Sequence, residues 1–441
     1  MRHLFTLLLI AGSVFAATYY VAKTGDDGNV GSEAAPWLTI GKGVATAVAG
    51  DTVWVKAGSY AEFVHFLTHD GTANNRIVFK AYDGLNSIIA GPVLFEAKAC
   101  NLEGFQIVYD SAAWGLIQAV KFDEGGDSSA ILDCDIKPLT ANSTYGHGIL
   151  CTRRGVTIHS NTVHDFGTRP ANDHGIYLQG SGCTVTNNTV YGSASMGIHL
   201  YTEGVENPTE SCVVAYNVIH DNGAGILVAG NHNQIHHNVC YGNDAYGLKA
   251  YYGTWYGNEF SNNVCYGEVD GMRVESNGAN VVRNNLFLGN IYHLSWWAAG
   301  SGTTVDYNCY WPDSYHAFYF GGNLNYAAWL AASGQDSHSI CVDPLLVDTA
   351  AHDFHLQAGS PCIGAGYGGC DIGAFPFVPE SIPETNPPPH KPKKPRGKSG
   401  SQSTVTIYFQ RLGNGQVYDV TGRRVEGRVI FDNRQKRVVV R

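Results

Sequence analysis

A Gly followed by an apolar residue recurs six times in the middle of the chain, in HGILC, HGIYL, MGIHL, AGILV, YGLKA and DGMRV, with the glycines at 148, 175, 197, 225, 247 and 271. The intervals are 27, 22, 28, 22 and 24 residues. A second signature, apolar-x-x-Asn, keeps step and places asparagines at 161, 188, 217, 238, 263, 285 and 308. Repetition on this scale means that each unit is one supersecondary piece, able to bury its apolar face only against its neighbours. The stretches between Gly-, Asn- and Asp-rich turns alternate in polarity and show no helical period. That excludes a helical solenoid and predicts two short strands per unit. The pattern therefore predicts a parallel β-helix, one coil per unit, with equivalent residues stacked about 4.8 Å apart. A recurrent turn Asn suits it, because the short amide tolerates left-handed backbone angles and bonds to the coils on either side.

The repeat also assigns directions, since successive strand residues point to opposite faces. Ile149, Ile176, Ile198, Ile226, Leu248 and Met272 form one inward column, and Cys151, Leu178, Leu200, Val228, Ala250 and Val274 form another. The residues between them face outward, as Leu150, Tyr177, His199, Leu227, Lys249 and Arg273, with Thr152, Gln179, Tyr201, Ala229, Tyr251 and Glu275 alongside. Basic residues are scarce here: from 155 to 378 the chain has only Arg169, Lys249, Arg273 and Arg283. Two of these four thus fall in one outward column on successive coils.

Both ends differ from this body. The opening MRHLFTLLLIAGSVFAATYY has a basic head, a short apolar run and small residues, which predicts a secretory leader cut near Ala16. No later segment reaches the roughly 20 apolar residues of a membrane helix, so a secreted or surface location without a transmembrane segment is expected. Residues 379–441 hold 13 Lys or Arg against 5 Asp or Glu, and the net charge of -10 for the whole chain leaves -18 for residues 1–378. An acidic body argues against nucleic acid as a partner, since phosphate binding needs clustered cations. NPPPHKPKKPRGKSGSQS reads as a stiff, solvated linker. The predicted organisation is a leader at 1–16, a β-helix at 17–378, a linker at 379–403 and a small strand-rich segment at 404–441. Eleven cysteines without a Cys-x-x-Cys pair argue against a zinc ribbon. Cys183 with Cys212 and Cys240 with Cys265 are expected as buried thiols, and Cys362 with Cys370 as a disulfide.

YYVAKTGDDGNVGSEAAPWLTIGKGVATAVAGDTVWVKAGSYAE, RIVFKAYDG and IIAG resemble the opening of the pectate-lyase-like right-handed β-helix proteins, in which a short helix caps the first coil. DPLLVDTAAHDFHLQAGSPCIGAG and DIGAF resemble the closing segment of exported bacterial members. The resemblance covers roughly residues 18–376 and implies a right-handed, single-stranded parallel β-helix with an N-terminal capping helix. It implies no one reaction, because the scaffold carries lyases, hydrolases, epimerases and adhesins. Lys249 and Arg273 are most similar to the base lysine and arginine that the chondroitinase B and alginate lyase family places on neighbouring coils. That family's calcium site has no counterpart here beyond Asp244, so calcium stays a candidate cofactor, with Asp244 and Asp270 as candidate ligands, and the metal is unknown. GHG at 146–148 resembles a polygalacturonase motif, and NDHG at 172–175 faintly an epimerase one. VYDVTGRRV and KRVVVR resemble C-terminal sorting domains of exported proteins.

The expected function is a lyase that cleaves an acidic, uronic acid polysaccharide by β-elimination. Such a reaction needs a neutralised carboxylate, a base and an acid. Lys249 is the expected base, its proton affinity lowered by a neighbouring cation, and Arg273 the carboxylate grip. His199 or Tyr251 is the expected acid, and Tyr177, Tyr201, Tyr251 and Glu275 are expected to bind substrate. Tyr252 and Trp255 offer further flat faces for sugar rings. The pairs His147 with His174 and His236 with His237 read as turn histidines or metal ligands. The alternatives are a non-catalytic glycan-binding stalk or adhesin, and a glycoside hydrolase or uronan epimerase on the same fold. A monomer is expected.

Overall fold

A computed structural model describes residues 16–141, 146–202, 208–298 and 302–379, together with four short strands near the C-terminus. The chain divides into two compact units, Met1–Pro379 and Glu380–Arg441. The first is the expected solenoid. Each coil contributes three strands rather than two, and they stack into three sheets of 12, 12 and 11 strands, parallel except where Asn323–Leu324 closes one sheet antiparallel to Phe318–Tyr319. The third strand escapes the repeat count because it follows the second after a two-residue corner, as in Thr157–His159 and Thr162–His164. The helix Ile40–Thr46 closes the first coils, and the Thr39 side chain at its N-cap accepts a hydrogen bond from Lys42 N.

Register follows the predicted columns. Ile149, Ile176, Ile198, Ile226, Leu248, Met272 and Leu294 pair in succession along one sheet, and none of them is exposed. Further toward the N-terminus the interior holds stacked Phe66, Phe95 and Phe122, with ring centroids 4.7 and 4.5 Å apart. The recurrent Gly is a steric requirement. A Cβ at Gly225 would lie 2.1 Å from the carbonyl oxygen of Gly247 on the next coil, and one at Gly197 would lie 2.4 Å from the Ile219 side chain.

The repeating asparagines form a buried ladder. Asn238 Oδ1 accepts from the backbone N–H and the side-chain amide of Asn217, while its own Nδ2 donates to Val214 O and to Asn263 Oδ1. The left-handed residue of this corner is the one before the ladder position: Ser160, Asn187, Tyr216, His237, Asn262, Asn284 and Tyr307 all have φ between 54 and 60°. The ladder Asn is chosen for its hydrogen bonds and not for its backbone angle.

The thiols also depart from expectation at one point. Cys183, Cys212, Cys240 and Cys265 are buried and free, as expected. Cys362 and Cys370 are not bonded: Cys362 is buried and Cys370 is exposed. Cys362 belongs to a second apolar core in which the arm carrying Leu346, Phe354, Leu356 and Ile372 covers the outer face of the third sheet at Val239, Val264, Leu286, Leu288 and Cys309. Cys370 instead lies against Asn284, whose Nδ2 is 3.3 Å from its Sγ.

In the second unit, Phe409–Arg411 pairs antiparallel with Val417–Asp419, and Val429–Asp432 with Arg437–Val440. The predicted leader and linker lie almost wholly outside the described residues.

Candidate functional site

One sheet carries Tyr177, His199, Tyr201, Lys249, Tyr251, Arg273 and Glu275, whereas Asp244 lies in the turn before it and His236 and His237 lie at the end of a strand of another sheet. The outward columns of the first of these sheets are set by the pairs Leu150 with Tyr177, Tyr177 with His199, His199 with Leu227, Leu227 with Lys249, and Lys249 with Arg273. Lys249 sits in the strand Tyr246–Gly253 and Arg273 in Asp270–Ser276. The register between these two strands shifts between Ala250 and Gly253, an irregularity that spans Tyr251 and Tyr252.

The lysine is not the open side chain that the alternation predicts. It is 8 % exposed, with its Nζ 5.2 Å from the centroid of the Tyr246 ring, 5.1 Å from that of Tyr251 and 3.0 Å from Glu275 Oε2. Burial lowers its pKa and Arg273 lowers it further, while Glu275 opposes both; the net direction is down. Arg273 is held from both sides. Its Nε donates to Asp270 Oδ2 at 2.7 Å, its Nη2 meets the same carboxylate, and Glu275 Oε1 is 3.9 Å from Nη1. Asp270 also accepts from the Ser295 hydroxyl. Two cations thus face two carboxylates, and the patch is charge-balanced.

His199 belongs to a different cluster. The coil carrying Leu227 separates it from Lys249, and Ala224, Leu227, Ala229 and Tyr246 form a small buried apolar group there, with Tyr201, Tyr251 and Trp255 packed against it. His199 Nδ1 is 3.0 Å from His174 Nε2, and its ring stacks on Tyr177 at 4.8 Å. His147 and His174 are buried in the same group and are not surface turn residues. Burial pushes their imidazoles down, His147 to about 4, His174 to about 2 and His199 to about 3. Three neutral imidazoles therefore share this face near neutral pH. Tyr177, Tyr201 and Tyr251 are half-buried, and Tyr252 is 71 % exposed.

The predicted calcium ligands do not converge. Asp270 is engaged by Arg273 and Ser295, Asp244 is exposed, and among the described residues no three His, Cys, Asp or Glu side chains form a metal shell. Two clefts of about 400 and 370 Å³ lie elsewhere, along the third sheet and its covering arm, and share Tyr266 and Gly289. They contain none of the predicted residues. The alternating pattern gave no sign of Tyr246, three residues before Lys249 on the same strand, or of Ser295, which reaches Asp270 from the next coil.

Comparison with known proteins bears on the fold. The family model for the right handed beta helix region matches residues 106–264 and 148–310. An uncharacterized protein of Bacillus subtilis, YwoF, is 26% identical over 443 residues, covering 78% of this chain and 91% of that protein. Pectate lyase PEL9 of Emericella nidulans is 36% identical over 110 residues, which span 23% of this chain and 27% of that one. The crystal structure of pectate lyase Pel9A superposes with a TM-score of 0.54 at 16% identity, covering 83% of this chain and 98% of that one. Coil stacking, three parallel sheets and the capped first coil are all found in this chain, which is thus a pectate-lyase-like right-handed parallel β-helix.

Proposed function

We propose that this β-helix acts on a uronic acid polysaccharide, cleaving it by β-elimination at the sheet face around Lys249 and Arg273. The observation that carries the reading is the state of Lys249. A lysine enclosed by two tyrosine rings and paired with an arginine on the next coil has its ammonium form disfavoured, which is what a general base requires. The name pectate lyase on one partial sequence relative and on one structure of the same fold supports a substrate of this kind.

In this reading the neutral Lys249 amine removes the proton next to the substrate carboxylate. The released electron pair forms the carbon–carbon double bond as the glycosidic carbon–oxygen bond breaks. Tyr251, whose ring lies beside Lys249, gives the proton to the leaving oxygen. His199 does not serve: an apolar coil lies between it and Lys249, and its imidazolium is suppressed. Arg273 receives the substrate carboxylate in exchange for Glu275, the more weakly held of its two partners.

A second reading rests on the same charge balance. Both cations already have anionic partners, so a face that binds glycan without cleaving it is the rival. Incubation with polygalacturonate, alginate and chondroitin, with and without calcium, separates the two, because elimination produces unsaturated ends that absorb in the ultraviolet. Absorbance that rises with the wild type and not with Lys249→Ala supports the lyase. No absorbance on any polymer discards it.

A further inference from the structure

Beyond Arg273 the same sheet continues into a surface that no predicted residue reaches. Arg273 pairs with Ser295, and Ser295 with Tyr319. Val274 pairs with Trp296, and the Trp297 backbone N–H donates to Val274 O, so Trp297 follows Glu275 in the adjacent outward column. Trp296 turns inward and is buried, whereas Trp297 is 56 % exposed. The Trp297 indole stacks on Tyr319 with centroids 4.4 Å apart and planes 26° from parallel. Tyr292 stands edge-on to Tyr319 at 6.2 Å, and its hydroxyl donates to Asn323 Oδ1 at 3.2 Å. Asn323 in turn contacts His316 Nδ1 at 2.7 Å.

We propose that Trp297 and Tyr319 form a sugar-stacking subsite that seats a ring of the polysaccharide one to two coils beyond the Lys249–Arg273 centre. An open indole stacked against Tyr319 just past the end of a strand loses little conformational entropy when covered, and its flat face suits the C–H face of a pyranose. The Tyr292 hydroxyl and the Asn323 amide at its edge match the hydroxyl groups of that ring. A protein partner fits less well: a stable protein interface removes roughly 800 Å² from each side, far more than one indole and one phenol present. Aromatic residues along the third sheet are instead stacked on one another, His164, Tyr191, His220 and Tyr241 following in series at 4.7 to 5.0 Å. The glycan chain would then run along the solenoid axis, crossing successive coils. This inference rests on the reading of that face as a polysaccharide site, but it concerns binding and not cleavage.

The test is the affinity of the full chain for polygalacturonate, alginate, chondroitin and neutral xylan, measured by affinity electrophoresis and calorimetry for wild type, Trp297→Ala, Trp297→Phe, Tyr319→Ala and Lys249→Ala. Trp297→Ala is expected to weaken binding of the preferred polymer by about tenfold or more, with Trp297→Phe partly restoring it. Trp297 is exposed, so its replacement leaves the fold intact, and an unchanged melting temperature checks this. Binding lost in Trp297→Ala but kept in Lys249→Ala, with no cleavage by any variant, upholds the subsite and removes the lyase reading. Trp297→Ala binding as tightly as wild type overturns the subsite whatever the cleavage result, and so does a wild type that binds none of the four polymers.

Discussion

Lys249 is the residue on which both the chemistry and its test converge. Its charge state is set by the groups around it: Glu275 and Asp270 favour the ammonium, while Arg273 and burial beneath Tyr246 and Tyr251 oppose it. If the neutral amine is the base, kcat/KM rises with pH through a pKa below the ordinary lysine value. Glu275→Gln removes the strongest contact favouring the charged form, so the rising limb is expected to move to lower pH. A limb that stays in place in Glu275→Gln means that another group titrates. The buried imidazoles predict a stability effect of defined sign. In the unfolded chain each binds a proton as pH falls below about 6.5, while in the folded chain His147, His174 and His199 resist until about 4, 2 and 3. The unfolded state then holds more protons, so stability is complete above about 6.5 and declines on acidification by up to about 1.4 kcal/mol per pH unit for each imidazole. Urea denaturation of His174→Phe, which keeps a ring in the stack, is expected to show a shallower loss between about pH 6 and 5.

At the scale of the coil, the ladders decide stability. Asn238→Leu would leave the Asn217 backbone N–H without its acceptor in the interior and would strip one hydrogen bond each from the Asn217 side-chain amide, which keeps Val185 O, and from Val214 O. At about 1–3 kcal/mol for the orphaned group, with the stripped bonds added, the expected loss is about 3 kcal/mol or more, read as a lower urea midpoint. Asn238→Asp keeps the acceptor and loses the donor, so it should fall between. A parallel ladder has an anomaly. Asn222 and Asn243 are followed by Glu268, which accepts from Asn243 Nδ2 through Oε1 while its buried Oε2 has no partner. Burial pushes its pKa up to about 8. Because the unfolded carboxyl ionises near the ordinary value of 4.5, stability contributed by the protonated folded form is lost as pH rises from about 4.5 to 8. Glu268→Gln is expected to abolish that loss, visible as a melting temperature that no longer drops across this range. The columns behind these effects were legible in the sequence, because a period of two and a recurrent Gly fix which residues face in. The closure of Lys249 was not, since it depends on Tyr246 and Tyr251 folding over the lysine and on carboxylates brought close by register. Trp297 and Tyr319 escaped for a simpler reason: His293 stands where the next Gly would be, in line with Gly271, so the signature stops one coil too early.

Across the whole molecule, the charge distribution sets a condition that the proposed substrate must meet. Residues 1–378 carry a net charge of -18, and the site itself balances Lys249 and Arg273 against Asp270 and Glu275. A polyanion approaching such a body meets long-range repulsion with no compensating local excess of positive charge. Added salt screens repulsion between exposed charges, with a Debye length of about 10 Å at 0.1 M. The charge pairs at the site are partly buried and respond less. Affinity for an acidic polysaccharide is therefore expected to rise as sodium chloride increases from about 10 to 150 mM, the opposite of the behaviour of a cationic groove that binds polyanions. A neutral polysaccharide bound on the same face should be insensitive to salt over that range. Equilibrium titrations at three salt concentrations decide the sign. Affinity for the acidic polymer that falls with salt would mean that a cationic surface outside the described sheet face dominates binding, and the Lys249–Arg273 face would lose its claim as the main contact.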